Sequence, residues 1–304
     1  MSTNDAGGAW PALPYGEWGE TLTTLHMWTQ VVGKVRLAQA PHVNHWWQVP
    51  LYVSARGLTT SAVPYGSRVF EVEFDFVSHE LRIETGEGDA RRLALAPRTV
   101  ADFYREFNSR MRELGLDVKV WTTPVEVPDP VPFESDEAHK SYDPEYAHRF
   151  WRALVDAERV FQRFRSGFTG KCSPVHFFWG SFDLAVTRFS GRPAPPHPGA
   201  PGVADVVTRE AYSHEVSSAG FWPGGAALPE PIFYSYAYPE PEGFKGARVG
   251  PGPAYYNKDF GEFVLPYEAV RAADDPDATL TRFLQDTYEA AANLANWDRA
   301  ALER

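Results

Sequence analysis

The feature of this sequence that most constrains its fold is a pattern that occurs twice. His45-Trp46-Trp47 precedes the run Leu51-Tyr52-Val53, and His176-Phe177-Phe178 precedes Phe182-Asp183-Leu184. The two copies of the pattern are separated by 176 − 45 = 131 residues, and the positions that follow keep this offset. A pattern repeated at constant spacing indicates an internal duplication, in which each copy opens a strand with a histidine.

Each copy also predicts the same order of elements. Apolar residues at three- and four-residue spacing run from Leu22 to Val35 and from Phe150 to Phe168, which predicts a long helix at the start of each copy. Strands and a closing helix follow in both copies: Val69 to Phe76, Glu80 to Thr85 and a stripe from Phe103 to Leu114 in the first, and Pro231 to Tyr238, Glu262 to Leu265 and a stripe from Leu280 to Leu294 in the second. The sequence therefore predicts an α+β fold made of two α-β(3-4)-α modules, with three or four strands each.

A proline-rich acidic segment separates the two predicted modules. We assign residues 1–122 to the first module, 123–144 to a linker and 145–304 to the second module. The prolines of this linker are Pro124, Pro128, Pro130, Pro132 and Pro144. A small sheet with two helices leaves edges and a face uncovered, so we expect the modules to pack around a pseudo-twofold axis as one compact body.

Composition narrows the class of protein. The chain has 40 acidic and 29 basic side chains, and it has no basic run that could follow a phosphate backbone, so nucleic acid is not an expected partner. No stretch approaches the roughly 20 apolar residues of a membrane span, and the first residues do not resemble a signal peptide. A single cysteine, Cys172, rules out an internal disulfide. We expect a cytoplasmic protein that is a monomer or a homodimer.

Histidines and carboxylates that interrupt apolar runs are the candidates for chemistry. The candidate catalytic residues are His45, His176, Asp183 and Arg188. Each histidine could be a structural hydrogen-bonding residue, a general acid or base, or a metal ligand. His176 and His214, completed by Glu215 or Asp183, could form the two-histidine, one-carboxylate set that binds a divalent transition metal such as iron, manganese, copper or zinc. The sequence leaves these alternatives open.

Aromatic residues make up 14% of the chain and occur in runs that place rings on both faces of a strand, which indicates an aromatic-lined cleft. The candidate substrate-binding residues are His26, Lys34, Trp47, Arg56 and Trp179. His26, Gln30, Gly33 and Leu37 form a stripe beside the apolar one on the first helix, with Lys34 one position further round, so these side chains could face the cleft. A half-exposed flank is favoured, because Lys34 and Arg36 are of types that are solvated in most helices. Arg56 and Arg188 lie at matching ends of the two copies, where they could bind an anionic group or form ion pairs.

Several long segments resemble those of a bacterial family known only as a domain of unknown function. They are Leu25 to Gln30, Asn44 to Trp47, Arg56 to Thr60, Lys171 to Asp183 and Tyr212 to Glu215. The similarity extends from Trp10 to Trp297. It implies a bacterial cytosolic protein, and it brings no activity, cofactor or catalytic residue.

Two classes of function fit these observations. The first is an enzyme that acts on a small organic molecule in the cleft through a histidine and carboxylate site, either metal-dependent (oxygenase-like or hydrolytic) or acid–base. The second is a non-catalytic protein that binds or senses a small molecule. The sequence has no glycine-rich nucleotide loop and no Gly-x-Ser-x-Gly hydrolase motif. Ionisable residues of several types interrupt apolar strands in both copies, which favours the enzyme.

Overall fold

The computed structural model describes residues 9–304 and shows an α+β protein. The helices in this part of the chain are α1 (Tyr15–Gln39), α2 (Val100–Glu113), α3 (Pro144–Ser166), α4 (Asp205–Ala211), α5 (Tyr267–Arg271), α6 (Pro276–Leu294) and α7 (Arg299–Leu302). The first sheet contains β1 (Tyr52–Val53), β2 (Gly57–Thr59), β3 (Val63–Tyr65), β4 (Arg68–Asp75), β5 (Glu80–Thr85) and β6 (Ala90–Ala94). The second contains β7 (His176–Phe178), β8 (Asp183–Pro193), β9 (His214–Trp222), β10 (Ile232–Tyr238), β11 (Tyr255–Asn257) and β12 (Glu262–Pro266).

Both sheets are antiparallel, and they meet at their edges. The strand order is β1-β2-β4-β5-β6 in the first sheet, with β3 paired to β4, and β11-β12-β10-β9-β8-β7 in the second. Leu51 and Phe177 exchange two backbone hydrogen bonds of 2.9 Å between these edges. The edge strands β1 and β7 therefore lie side by side, and each covers part of the other's unpaired backbone.

Helix α1 lies inside the protein. Every residue from Met27 to Arg36 is buried, and the helix packs against α2 and α3. A helix that is enclosed on all sides is a core element, not a surface one. The half-exposed flank favoured by the sequence is therefore wrong for Lys34 and Arg36, which are 4% and 8% exposed.

The long amphipathic helices and the longer strands lie where the sequence predicts them. Each sheet nevertheless has six strands instead of the three or four that the sequence predicts. Strands such as β1 and β2 were not predicted because they are two or three residues long and show no detectable alternation. The strand predicted at His45 is also wrong. Asn44–Trp46 forms a 3-10 turn in which His45 and Trp46 have φ values of 60° and 62°, and a strand cannot contain such residues. Of the two histidines, only His176 begins a strand.

The N-terminal segment of the described chain packs against the second half of the protein. The Trp10 amide donates a 2.8 Å hydrogen bond to Asp156, and the Trp10 ring lies 5.9 Å from that of Phe233. The Tyr267 hydroxyl donates to the carbonyl of Pro11 at 2.8 Å.

Within residues 9–304, no helix has the length and apolar character that crossing a membrane requires.

Candidate functional site

The two faces of the second sheet differ in character. Leu184, Val186 and Arg188 point toward the helices, where the guanidinium carbon of Arg188 lies 3.4 Å from the ring centroid of Phe164. Side chains alternate along a strand, so Asp183, Ala185 and Thr187 lie on the opposite side, which we call the polar face. Arg188 therefore does not share a site with the residues of the polar face, and its predicted grouping with them is wrong.

Small residues form the floor of the polar face, and larger ones stand at its ends. The strand register gives one row of His176, Ala185, Gly220 and Tyr234 and a neighbouring row of Thr187, Ser218, Tyr236 and Glu262. With strands about 4.8 Å apart, the backbones of His176 and Tyr234 are about 14 Å apart. The ring of Tyr234 lies over Gly220, because a Cβ added at Gly220 would come within 2.3 Å of it. The hydroxyls of Thr187 and Ser218 are 2.9 Å apart on the floor.

His176 occupies one end of this face and is enclosed by aromatic rings. It is 1% exposed, and its ring centroid lies 6.0 Å from Trp47, 5.5 Å from Tyr52 and 5.5 Å from Phe178. Among the described residues, neither ring nitrogen of His176 has a hydrogen-bond partner. Burial, followed by the positive charges of Arg36 and Arg165, lowers the pKa of His176 to about 3. The ring is therefore neutral at physiological pH, and it carries two unmet hydrogen-bonding positions.

His45 contacts Trp47, and both of its ring nitrogens have partners within the protein. Its Nδ1 is 3.0 Å from the carbonyl of Glu210, and its Nε2 accepts a 2.6 Å hydrogen bond from Lys171. Burial, followed by the charge of Lys171, lowers the pKa of His45. The His214 ring centroid is 5.9 Å from that of His45, and the Trp47 ring centroid is 5.1 Å from it. The fold thus places Trp47 against both His45 and His176, whereas His214 lies against His45 and not against His176.

Carboxyl groups and tyrosines occupy the rest of the polar face. Asp183 is 6% exposed and accepts hydrogen bonds from Ser181 Oγ at 2.6 Å and from the Tyr234 hydroxyl. Burial raises the pKa of Asp183. Desolvation, followed by the negative charge of Asp183, raises the pKa of Glu126 to about 7 and that of Glu262 to about 8. Carboxyl groups that titrate near neutral pH are suited to proton transfer.

Glu126 reaches the site from the segment that the sequence assigned to the linker. This segment is held by α1, because the Gln30 side-chain amide donates to the Val125 carbonyl at 2.8 Å and accepts from the Val125 amide at 2.9 Å. Lys34 Nζ donates to the Thr123 carbonyl at 2.6 Å. Glu126 itself has a φ of 57° and stands at the exposed rim of the face, against Gly180. Buried polar groups of a core helix thus position a rim carboxyl group.

Four predicted substrate-binding residues have protein partners instead. His26 Nε2 lies 2.8 Å from the Gly180 carbonyl, and Lys34 holds the segment described above. Trp179 donates to the Val49 carbonyl at 2.8 Å. Arg56 pairs with Asp75 on the first sheet at 2.5 Å. In His26, Lys34, Arg56 and Trp179 the polar group thus has a partner within the protein.

The predicted metal triad is not assembled. His176 pairs with Ala185, whereas His214 pairs with Pro193 at the far end of β8. Glu215 instead forms a 2.6 Å ion pair with Arg192. Within residues 9–304, no three His, Cys, Asp or Glu side chains are placed so that they could hold a metal ion.

Sequence reasoning missed several residues of the site. Glu126 lies between prolines in an irregular segment, and nothing in its surroundings in the sequence marks it. Glu262 opens a predicted strand, but its position opposite Tyr236 depends on strand register. Arg36 did carry a signal, because it continues the four-residue spacing of the buried Trp28 and Val32.

The fold and the site together define an α+β protein with two edge-joined antiparallel sheets and a face lined by histidine, tyrosine and carboxyl groups. The chain belongs to DUF5996, a family of unknown function whose model matches residues 10–304. This match confirms the predicted resemblance to a domain of unknown function. No curated protein and no solved structure matches this chain.

Proposed function

We propose that this chain is an enzyme that binds a small organic molecule on the polar face of the second sheet and catalyses a proton transfer. The observation that carries this proposal is the buried imidazole of His176, which has no hydrogen-bond partner among the described residues. Leaving such a group unpaired costs about 1–3 kcal/mol, so a role outside folding is the simplest reason to retain it. A polar atom of a bound substrate supplies the missing partner.

The carboxyl groups of the polar face are the groups that exchange protons. At neutral pH, Glu126 and Glu262 are each partly protonated, because their pKa values are raised to about 7 and about 8. One carboxylate removes a proton from the bound molecule, and the other group, in its acid form, returns one, so the reaction consumes no net proton. Asp183 accepts a hydrogen bond from Tyr234, and burial raises its pKa. The neutral His176 binds substrate and does not act as a base, since its pKa is about 3.

Turnover of a defined mixture of small metabolites, followed by mass spectrometry, tests this proposal. We expect the wild-type protein to consume one compound and Glu262→Gln to do so at least about 100-fold more slowly, since general acid–base groups contribute that much or more. Glu230→Gln is the matched control, because Glu230 is exposed in the loop before β10 and its substitution removes the same charge. Equal rates for wild type and Glu262→Gln would contradict the assigned role.

A second candidate is a non-catalytic protein that binds a small molecule. This candidate is favoured by the burial of the two His176 ring nitrogens beneath aromatic rings, because they reach solvent only if the site opens. A compound that remains bound to the purified protein and is never converted would establish this alternative and exclude the enzyme.

We also propose that the two halves of the chain are related by duplication. Each half runs from a long helix, α1 or α3, through six antiparallel strands to a second long helix, α2 or α6. The first strands of the two sheets run antiparallel where they meet, at Leu51 and Phe177. The lone cysteine, Cys172, supports a reducing compartment such as the cytoplasm.

A further inference from the structure

We infer that the His176 end of the polar face binds the carboxylate of a small organic acid, using the guanidinium groups of Arg36 and Arg165 together with the His176 ring. This inference deepens the proposed function and rests on it only for the location of the ligand. It assigns the chemical class of the molecule that the protein recognises.

Arg36 is a buried cation without a counter-charge. It is 8% exposed, and its Nη1 donates to the Thr60 carbonyl. Its guanidinium carbon lies 5.4 Å from the ring centroid of Tyr52, and its buried Nε has no partner among the described residues. Among residues 9–304, Arg36 forms no ion pair. A buried charge that lacks an opposite charge is strongly destabilising, and a bound anion would compensate it.

Arg165 brings a second cation to the same place from a different element. Its Nε donates a 2.7 Å hydrogen bond to the Ser173 carbonyl, beside the edge strand that leads to His176. Both charged groups that lower the pKa of His176 are cations, Arg36 and Arg165. Arg36 lies against the Tyr52 ring, which contacts that of His176, and Arg165 donates to the backbone three residues before His176, in a chain whose net charge is −11. The paired N–H donors of an arginine guanidinium group match the planar geometry of a carboxylate, which accepts two parallel hydrogen bonds.

The walls of this end favour an organic acid over an inorganic anion. Trp47, Tyr52 and Phe178 place their rings within 6.0 Å of the His176 ring, and they offer apolar surface to the body of a ligand. Trp47 is half-buried and follows the two residues with positive φ in the 3-10 turn. Non-glycine residues in that conformation store strain of order 1 kcal/mol or more each, and such strain is concentrated at ligand-binding sites.

Binding of benzoate to the full-length protein, measured by calorimetry, tests the inference, with benzamide as the neutral analogue of the same shape. We expect wild type to bind benzoate and not benzamide, and we expect Arg165→Gln to weaken benzoate binding by about tenfold or more, as for loss of a charged hydrogen bond. Arg163→Gln is the matched control, since Arg163 lies two residues away on α3, is exposed and pairs with Asp277 at 3.1 Å. Arg36→Lys keeps the buried charge but loses the paired N–H donors of the guanidinium group, and it should weaken binding as well. Circular dichroism establishes that each variant is folded.

Four outcomes would overturn the inference: no benzoate binding by folded wild type, equal binding of benzamide, equal losses in Arg163→Gln and Arg165→Gln, or binding of inorganic phosphate in place of benzoate. The two proposals also fail separately. Turnover that depends on Glu262 without any benzoate binding removes the carboxylate assignment alone. Benzoate binding that depends on Arg165, without turnover of any metabolite, removes the enzymatic function alone.

Discussion

At His176, a polar ring is surrounded by apolar ones, and its two nitrogens have no partner among the described residues. We expect His176→Phe to leave the free energy of unfolding unchanged or to raise it by about 1 kcal/mol, because the substitution removes unsatisfied buried groups and keeps a ring of similar size. Urea denaturation measures this change. His45→Phe is the contrasting variant, and it should lose about 1–3 kcal/mol because it removes the hydrogen bonds to Glu210 and Lys171. A large loss of stability in His176→Phe would show that the imidazole is structural.

The carboxyl group of Glu262 should make stability depend on pH. Its pKa is about 8 in the folded protein against an ordinary value of 4.5, so the folded state holds this proton over a range in which the unfolded chain has released it. Stability should therefore fall as pH rises from about 5 to about 8, by about 1–3 kcal/mol, because partial exposure reduces the full effect of the shift. Denaturant unfolding at both ends of the range measures this fall. Glu262→Gln should flatten the dependence, whereas Glu230→Gln should leave it unchanged.

At the scale of elements, the position of α1 depends on close contact with the hairpin that carries the site. A Cβ added at Gly33 would lie 2.3 Å from the Trp179 ring, whereas one added at Gly16, in the same helix, would meet nothing within 4 Å. We expect Gly33→Ala to lower the free energy of unfolding by about 1–3 kcal/mol through overpacking. Gly16→Ala should raise it by about 0.5–1 kcal/mol, because alanine favours the helix. Chemical denaturation of the pair measures both effects, and similar values for the two variants would contradict this packing.

At the scale of the whole molecule, contacts between the halves should make unfolding a single event. Trp10 is 3% exposed and packs against Phe233 and Tyr267, while Leu51 and Phe177 join the two sheets. We expect one calorimetric transition, and we expect Trp10→Ala to shift all of it by about 3–5 kcal/mol, since a large buried ring is lost. Two separate transitions, with only one affected by the substitution, would show that the halves unfold independently.

Much of the secondary structure could be predicted, and much of the site could not. The stripes from Leu22 to Val35 and from Phe150 to Phe168 identified α1 and α3, because helical burial has a local period. His45 was misplaced in a strand, since residue type alone does not show that its φ is positive. In the site the charge of Arg36 acts on His176 and that of Asp183 acts on Glu262, although these groups lie far apart in the sequence.

The sequence by itself determined the α+β class, the long helices, the longer strands and the candidacy of His45, Trp47, His176, His214 and Asp183. These follow from local periodicity and from polar residues within apolar runs. Only the tertiary structure decided that Arg188 faces the helices, that Lys34 and Arg36 are buried, and that Glu126 and Glu262 join Asp183. The physical reason is that strand register and helix enclosure depend on contacts between distant segments, and a side chain's solvation and pKa depend on those contacts.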